Sequence, residues 1–196
     1  MKATALILFI STLIISCNTN GNYVTQKADT VNSRIEKLKE SYEQDDYLTF
    51  FTFFPDSFIE LVYFYDYRDE SSKDGLYSLY ESHINYFFKY EGKISSRFFL
   101  EKAFNIGKNG VWDADGVGLF QSNITKLIIK KPNTLLEVIK SKPEKEVIGF
   151  WFFIFDGSGK HDLQNNETFE SIYDRINTLD KKQGKLIKQE FERIYR

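Results

Sequence analysis

Apolar residues recur at helical spacing along most of the chain. Val31, Ile35, Leu38 and Tyr42 follow one another at steps of four, three and four, a stripe on one helix face, with Thr30 placed as its N-cap. Tyr47–Phe54 is aromatic enough for a strand. It lacks clean alternation, and Asp45-Asp46 marks a helix start, so it is read as a helix. Phe58–Tyr67 is apolar on nearly every side, which predicts a central buried helix. Arg68–Gly75 reads as a charged loop. Leu76, Leu79, Tyr80, Ile84, Phe87 and Phe88 make the next stripe. Ser95–Ile106 follows and stops at Gly107-Lys108-Asn109-Gly110. Asp113 is placed as the cap of a long helix through Val117, Phe120, Ile124, Leu127 and Ile128, stopped at Pro132. Asn133 is placed as the cap of Leu135–Lys140.

Ser141-Lys142-Pro143-Glu144 has the Ser-to-Glu spacing of a capping box. It predicts a helix through Ile148, Trp151, Phe152 and Phe155, closed by Gly157, with Trp151 buried. Without the box, Val147–Phe155 would read as a buried strand. Glu167–Leu179 and Lys181–Arg196 finish the chain, the last keeping Ile187, Phe191, Ile194 and Tyr195 on one face. Nine or ten helices with short connectors predict an all-α fold. Consecutive hairpins would form an irregular α-solenoid-like stack or a bundle. No internal repeat decides between the two.

The N-terminus breaks this pattern. After Met1-Lys2 an apolar run of about 13 residues ends at Ser16-Cys17, short of the ~20 that cross a bilayer. It fits a cleavable signal peptide. Ile14-Ile15-Ser16-Cys17 also resembles the bacterial lipobox, in which aliphatic residues and a small residue precede an obligatory Cys. The resemblance implies cleavage before Cys17 and diacylglycerol on its sulfur, and Cys17 is the only Cys in the chain. Residues 18–30 are small and polar and read as a tether. The expected organisation is a signal peptide over 1–16, a lipidated tether over 17–30 and one helical domain over 31–196. An Asp at position 18 would favour inner-membrane retention in enteric-type sorting. Asn18 shifts the expected location within the cell envelope to the outer membrane.

Composition adds mainly exclusions. The chain has 196 residues, 42% hydrophobic, with 26 basic and 28 acidic side chains and a net charge of −2. That balance gives no reason to expect nucleic-acid binding. A single Cys excludes an intrachain disulfide. Asp113-Ala114-Asp115-Gly116 resembles the start of a calcium loop. A twelve-residue loop from Asp113 would need oxygen ligands where Val117 and Ile124 stand, so the aspartates are read as helix-capping residues. Gly157-Ser158-Gly159-Lys160 resembles the end of a phosphate-binding loop, but Ile154 stands where the first Gly belongs and His161 where Ser or Thr belongs. The two His residues, His83 and His161, are too few for a metal cluster. His161-Asp162 lacks a nucleophile motif. No metal site and no cofactor is expected. Glu81, Glu101 and Glu144 are the candidate general acids, because a carboxylate pair formed by folding is invisible in sequence order.

Tyrosines 63, 65, 67, 77, 80, 86 and 90 are read as part of an aromatic core, with a glycan or protein recognition surface as the alternative. The lysines and arginines of 181–196 read as a solvated helix face. Four strings carry a second resemblance: Phe54-Pro55-Asp56-Ser57-Phe58, His83-Ile84-Asn85-Tyr86-Phe87-Phe88, Gly110-Val111-Trp112-Asp113-Ala114-Asp115 and Phe150-Trp151-Phe152-Phe153-Ile154-Phe155-Asp156-Gly157. They are similar to strings in small lipoproteins of Bacteroidota-type genomes, over about residues 54–157. The resemblance implies a lipid anchor and an all-α fold, and no activity. The expected function is a non-catalytic envelope lipoprotein held to the membrane through Cys17 and binding a protein partner. Neutralising a delivered toxin and supporting an envelope assembly are its two concrete versions. The alternative is an envelope glycan hydrolase using a carboxylate pair.

Overall fold

A computed structural model describes residues 21–65, 75–113, 115–157 and 163–195. Among these residues there are ten α-helices and one 3-10 turn, and no strand. The fold is therefore all-α, and both ambiguous aromatic runs are helical. The expected signal peptide over 1–16, Cys17, residues 18–20 and most of the expected loop at Arg68–Gly75 lie outside the described residues, as do Ser158, Gly159, Lys160, His161 and Asp162.

Helix α1 spans Gly21–Glu43 and buries Ile35, Leu38 and Ser41. It begins before Thr30, so Thr30 is an interior residue rather than an N-cap, and residues 21–30 are helical. The helix ends with the N–H of Asp46 on Ser41 O at 2.9 Å and that of Asp45 on Tyr42 O at 3.2 Å. This is a Schellman closure, with Asp45 at φ 53° in the left-handed position that Gly usually fills. Asp46 then caps α2 (Tyr47–Phe53), its carboxylate accepting the Thr49 N–H at 3.2 Å. Pro55 forces the extended backbone of Phe54 and ends α2.

Helix α3 (Phe58–Tyr65) opens on a variant of the capping box at Ser57–Glu60 that the sequence pattern did not single out. Ser57 Oγ accepts the Glu60 N–H at 3.3 Å, and the Glu60 carboxylate reaches back to the Asp56 N–H at 2.8 Å. The expected box at 141–144 does not form. Helix α8 (Glu144–Phe155) starts after Pro143 with no side-chain cap, and Ser141 donates to Val138 O instead. The reason is Pro143. The residue before a proline avoids helical angles, so a helix capped by Ser141 would need Lys142 in a disfavoured conformation.

A 3-10 turn (Tyr77–Leu79) leads into α4 (Tyr80–Lys89), followed by α5 (Ser96–Gly107) and α6 (Gly116–Lys130). Asp113 does not cap α6. Asp115 stands at the cap position at φ 54°, makes no capping bond, and accepts the Tyr77 hydroxyl at 2.7 Å. Pro132 both ends α6 and opens α7 (Pro132–Ile139), so Asn133 lies inside α7. Helices α9 (Leu163–Leu179) and α10 (Lys181–Tyr195) complete the chain. Consecutive hairpins hold at the two ends, α1 on α2 and α9 on α10. In the middle the pairing interleaves, with α4 on α6 and α5 on α7.

Helix α8 runs through the core with Val147, Phe150, Trp151, Phe153, Ile154 and Phe155 buried, and Trp151 is buried as expected. It packs on α5, α6 and α10. Helix α3 is not the buried central helix the sequence implied. Leu61, Phe64 and Tyr65 are buried, but Ile59 is 79% exposed and Tyr63 is exposed too. Its neighbours α5 and α6 leave the other face to solvent.

Gly149 of α8 meets the end of α5, where an added Cβ would collide with the Lys108 carbonyl oxygen. Replacing Gly149 with Ala gains helix propensity of up to about 1 kcal/mol. The clash is with backbone and outweighs it, so Gly149→Ala is expected to destabilise the fold by about 1–3 kcal/mol. A thermal melt followed by circular dichroism checks this, at roughly 2–4 °C of Tm per kcal/mol for a chain of this size. An unchanged Tm would mean that α8 does not need this approach.

Candidate functional site

The residues nominated from sequence are dispersed. Glu81 sits exposed on α4. Glu101 pairs with Lys142 at 2.6 Å, and the hydrogen-bonded Lys142 ammonium holds its carboxyl below the usual range. A general acid needs the opposite shift. Glu144 pairs with Lys182 at 2.9 Å. Two carboxylates held by two different lysines do not make an acid–base pair. Among the described residues no group of three or more His, Cys, Asp or Glu could hold a metal ion.

His83 is fully buried on α4. Tyr42 lies 4.6 Å from it between ring centroids, and Phe50 and Tyr65 meet it edge-on at 5.4 and 5.9 Å. Nδ1 is 3.2 Å from the Tyr65 hydroxyl, and Nε2 has no hydrogen-bond partner among the described residues. Burial, reinforced by Lys39, pushes its pKa down to about 4. The ring is a neutral core member, reachable neither by substrate nor by metal. Of the tyrosines, Tyr65 and Tyr86 are buried, which fits the core reading, while Tyr63 is exposed. Tyr67 lies outside the described residues.

Two surfaces emerge that no single motif announced. The first surrounds Lys102. Its ammonium bonds Asp56 of the α2–α3 corner at 2.5 Å and lies 5.1 Å over the Phe51 ring of α2. Arg34 of α1 closes the cluster, at 2.6 Å from Glu60 and 3.2 Å from Asp56. Phe51, Asp56 and Lys102 each have an exposed apolar residue three or four positions away in sequence. Leu48 is 64% exposed, Ile59 79% and Phe98 66%. These contacts tie α2, α3 and α5 together, and each of the three helices also carries one of these exposed apolar side chains.

The second surface lies along α6 and α9. The α5–α6 loop brings Trp112 to one end, its backbone N–H on the Asp156 carboxylate at 2.7 Å. Gln121 of α6 donates its amide to the carbonyls of Phe153 and Asp156, closing the open end of α8. Two adjoining depressions share Ile129 as a wall and run from Trp112 toward Leu179. Sequence order hid this surface because its contacts join residues 32 to 44 positions apart.

No family model, no curated protein and no solved structure matches the chain.

The buried His83 makes a stability prediction. Its ordinary pKa of about 6.5 in the unfolded chain drops to about 4 when folded. The unfolded state therefore binds the proton more readily. The contribution is complete above about pH 6.5 and is lost as pH falls toward 4, about 3 kcal/mol in all at 1.36 kcal/mol per unit. Denaturant unfolding between pH 7 and 4 should show that loss in the wild type. His83→Phe should lack this component, keeping only the slope from carboxylates. Equal slopes in both proteins would refute the assignment.

Proposed function

We propose that the chain is a lipid-anchored protein of the bacterial envelope that binds a protein partner and does not catalyse a reaction. The lipobox-like Ile14-Ile15-Ser16-Cys17 supports the anchor. Stable anchoring takes more than one acyl chain, as the diacylglycerol of a lipidated Cys supplies. Among the described residues no helix is long and apolar enough to cross a membrane.

The observation that carries the partner reading is the exposure of Leu48, Ile59 and Phe98 on the three helices that Lys102 and its partners tie together. Single exposed apolar side chains are ordinary. Three large ones, one on each of three helices tied by a single ion-paired cluster, supply anchors that a partner can bury. The salt bridges beneath them orient the helices, so the surface is set before binding. A toxin-neutralising role and a role in envelope assembly both use such a surface.

Two measurements test the reading separately. A palmitate analogue fed to cells should label the wild type and leave Cys17→Ala unlabelled; equal labelling of both would end the anchor claim. A photo-reactive residue at position 98 of the full chain should give one discrete protein adduct in cells. Ile59→Glu should reduce that adduct at least tenfold. Adducts to lipid alone, or none, would overturn the partner reading.

A further inference from the structure

The groove between α6 and α9 combines an apolar floor with hydroxyl-bearing walls. Its floor is Ile129 and the buried Ile154. Its walls carry the hydroxyls of Ser122, Thr125 and Thr168, and past Ile129 that of Ser171. Hydroxyls on helices commonly satisfy themselves on a carbonyl of the preceding turn. Ser41, Thr52 and Ser82 do so at 2.8 to 3.0 Å. In the groove Thr178 does so on Asp174 O at 2.7 Å, whereas Ser122, Thr125, Thr168 and Ser171 take no such bond among the described residues. Each therefore offers both a donor and two acceptor lone pairs to whatever fills the groove.

The charge in the groove is small. Lys126, Asp174 and Arg175 reach it, one anion against two cations. At one end stands Trp112, 39% exposed, and at the other Leu179, 48% exposed. From Thr168 to Leu179 the α9 wall is about 17 Å long at 1.5 Å per residue.

An apolar floor, four hydroxyls not bonded back to their own helix, an aromatic ring at the entrance and little net charge define a ligand of matching chemistry. It is extended and uncharged, rich in hydroxyls that both donate and accept, and has apolar C–H faces that can lie on an indole. We propose that this groove binds a neutral linear oligosaccharide of a few units, with Trp112 as its stacking platform. An extended peptide would instead ask for backbone-spaced donors and side-chain pockets. The proposal is independent of the protein-partner reading, which concerns the α2–α3–α5 junction.

The two tryptophans supply the test. Trp112 is the exposed reporter, and Trp151, buried in the core, reports folding in every variant. The full chain, purified in a detergent without a sugar headgroup, would be titrated with three probes: the tetramer of N-acetylglucosamine, maltotetraose and tetraserine. Binding would be read by tryptophan emission and by saturation-transfer NMR. Saturable binding of either saccharide is expected, and the preferred one tells acetylated cell-wall glycan from plain glucan. Trp112→Ala should abolish the emission change and weaken NMR-detected binding at least tenfold. Thr125→Val and Thr168→Val, which keep shape and lose the hydroxyl, should each weaken it several-fold. Saturation by tetraserine alone, by none of the probes, or binding indifferent to all three substitutions would overturn the proposal.

Discussion

Helix α8 can occupy the core only because backbone comes within van der Waals reach of backbone at Gly149. There α8 passes the Lys108 carbonyl so closely that no Cβ fits between them. Gly110 makes the matching concession on the other side, its missing Cβ leaving room for the Phe153 ring. With α5 and its loop pressed this near, the apolar stretch of α8 from Val147 to Phe155 packs against α5, α6 and α10. Its rings then join two aromatic groups. Phe153 meets Phe120 at 6.5 Å, and Phe120 meets Phe54 and Phe87 at 6.5 and 6.3 Å, reaching α2 and α4. Phe155 meets Phe191 at 5.6 Å, and Phe191 stacks on Phe169 at 4.1 Å, reaching α10 and α9. A chain with 19 Phe and 12 Tyr makes one continuous core this way.

The corners obey a different constraint. Asp45 and Asp115 are the two described non-glycine residues at positive φ. Such a conformation costs on the order of 1 kcal/mol or more and persists only where surroundings hold it. In both cases tyrosine does so. Tyr86 and Tyr90 donate to Asp45 at 2.8 and 3.3 Å, and Tyr77 donates to Asp115 at 2.7 Å. Each bond spans 38 to 45 positions of sequence. A glycine would relax the backbone at either corner but would lose the carboxylate that ties the corner to a distant helix.

This division explains what could be read in the sequence. Helix existence and the apolar faces follow from local periodicity, so Ile35, Leu38, Ile124, Leu127, Ile128 and Trp151 are buried as their spacing implies. Boundaries follow from local competition and were less legible. Of the Ser-x-x-Glu strings, Ser57–Glu60 caps its helix, whereas Pro143 spoils the one at Ser141–Glu144. The face that α3 exposes was illegible for another reason. A helix apolar on all sides does not say which side its neighbours leave uncovered, and Ile59 is on the uncovered one. The two candidate surfaces needed the fold itself. Lys102 finds Asp56 across 46 positions, and Trp112 finds Asp156 across 44.

The groove and the core are mechanically linked through the C-terminal end of α8. A helix end leaves carbonyls that must be satisfied. Among the described residues, side chains from other helices do so. Gln121 of α6 takes those of Phe153 and Asp156, and Tyr195 of α10 takes that of Phe155 at 2.6 Å. Gln121 lies in the wall of the groove, and α10 carries α9, the opposite wall. The separation of the two walls is therefore fixed by hydrogen bonds to a third helix that is itself locked by close packing. A cleft held in this way is organised before any ligand arrives. Its occupant does not have to supply the free energy of shaping it.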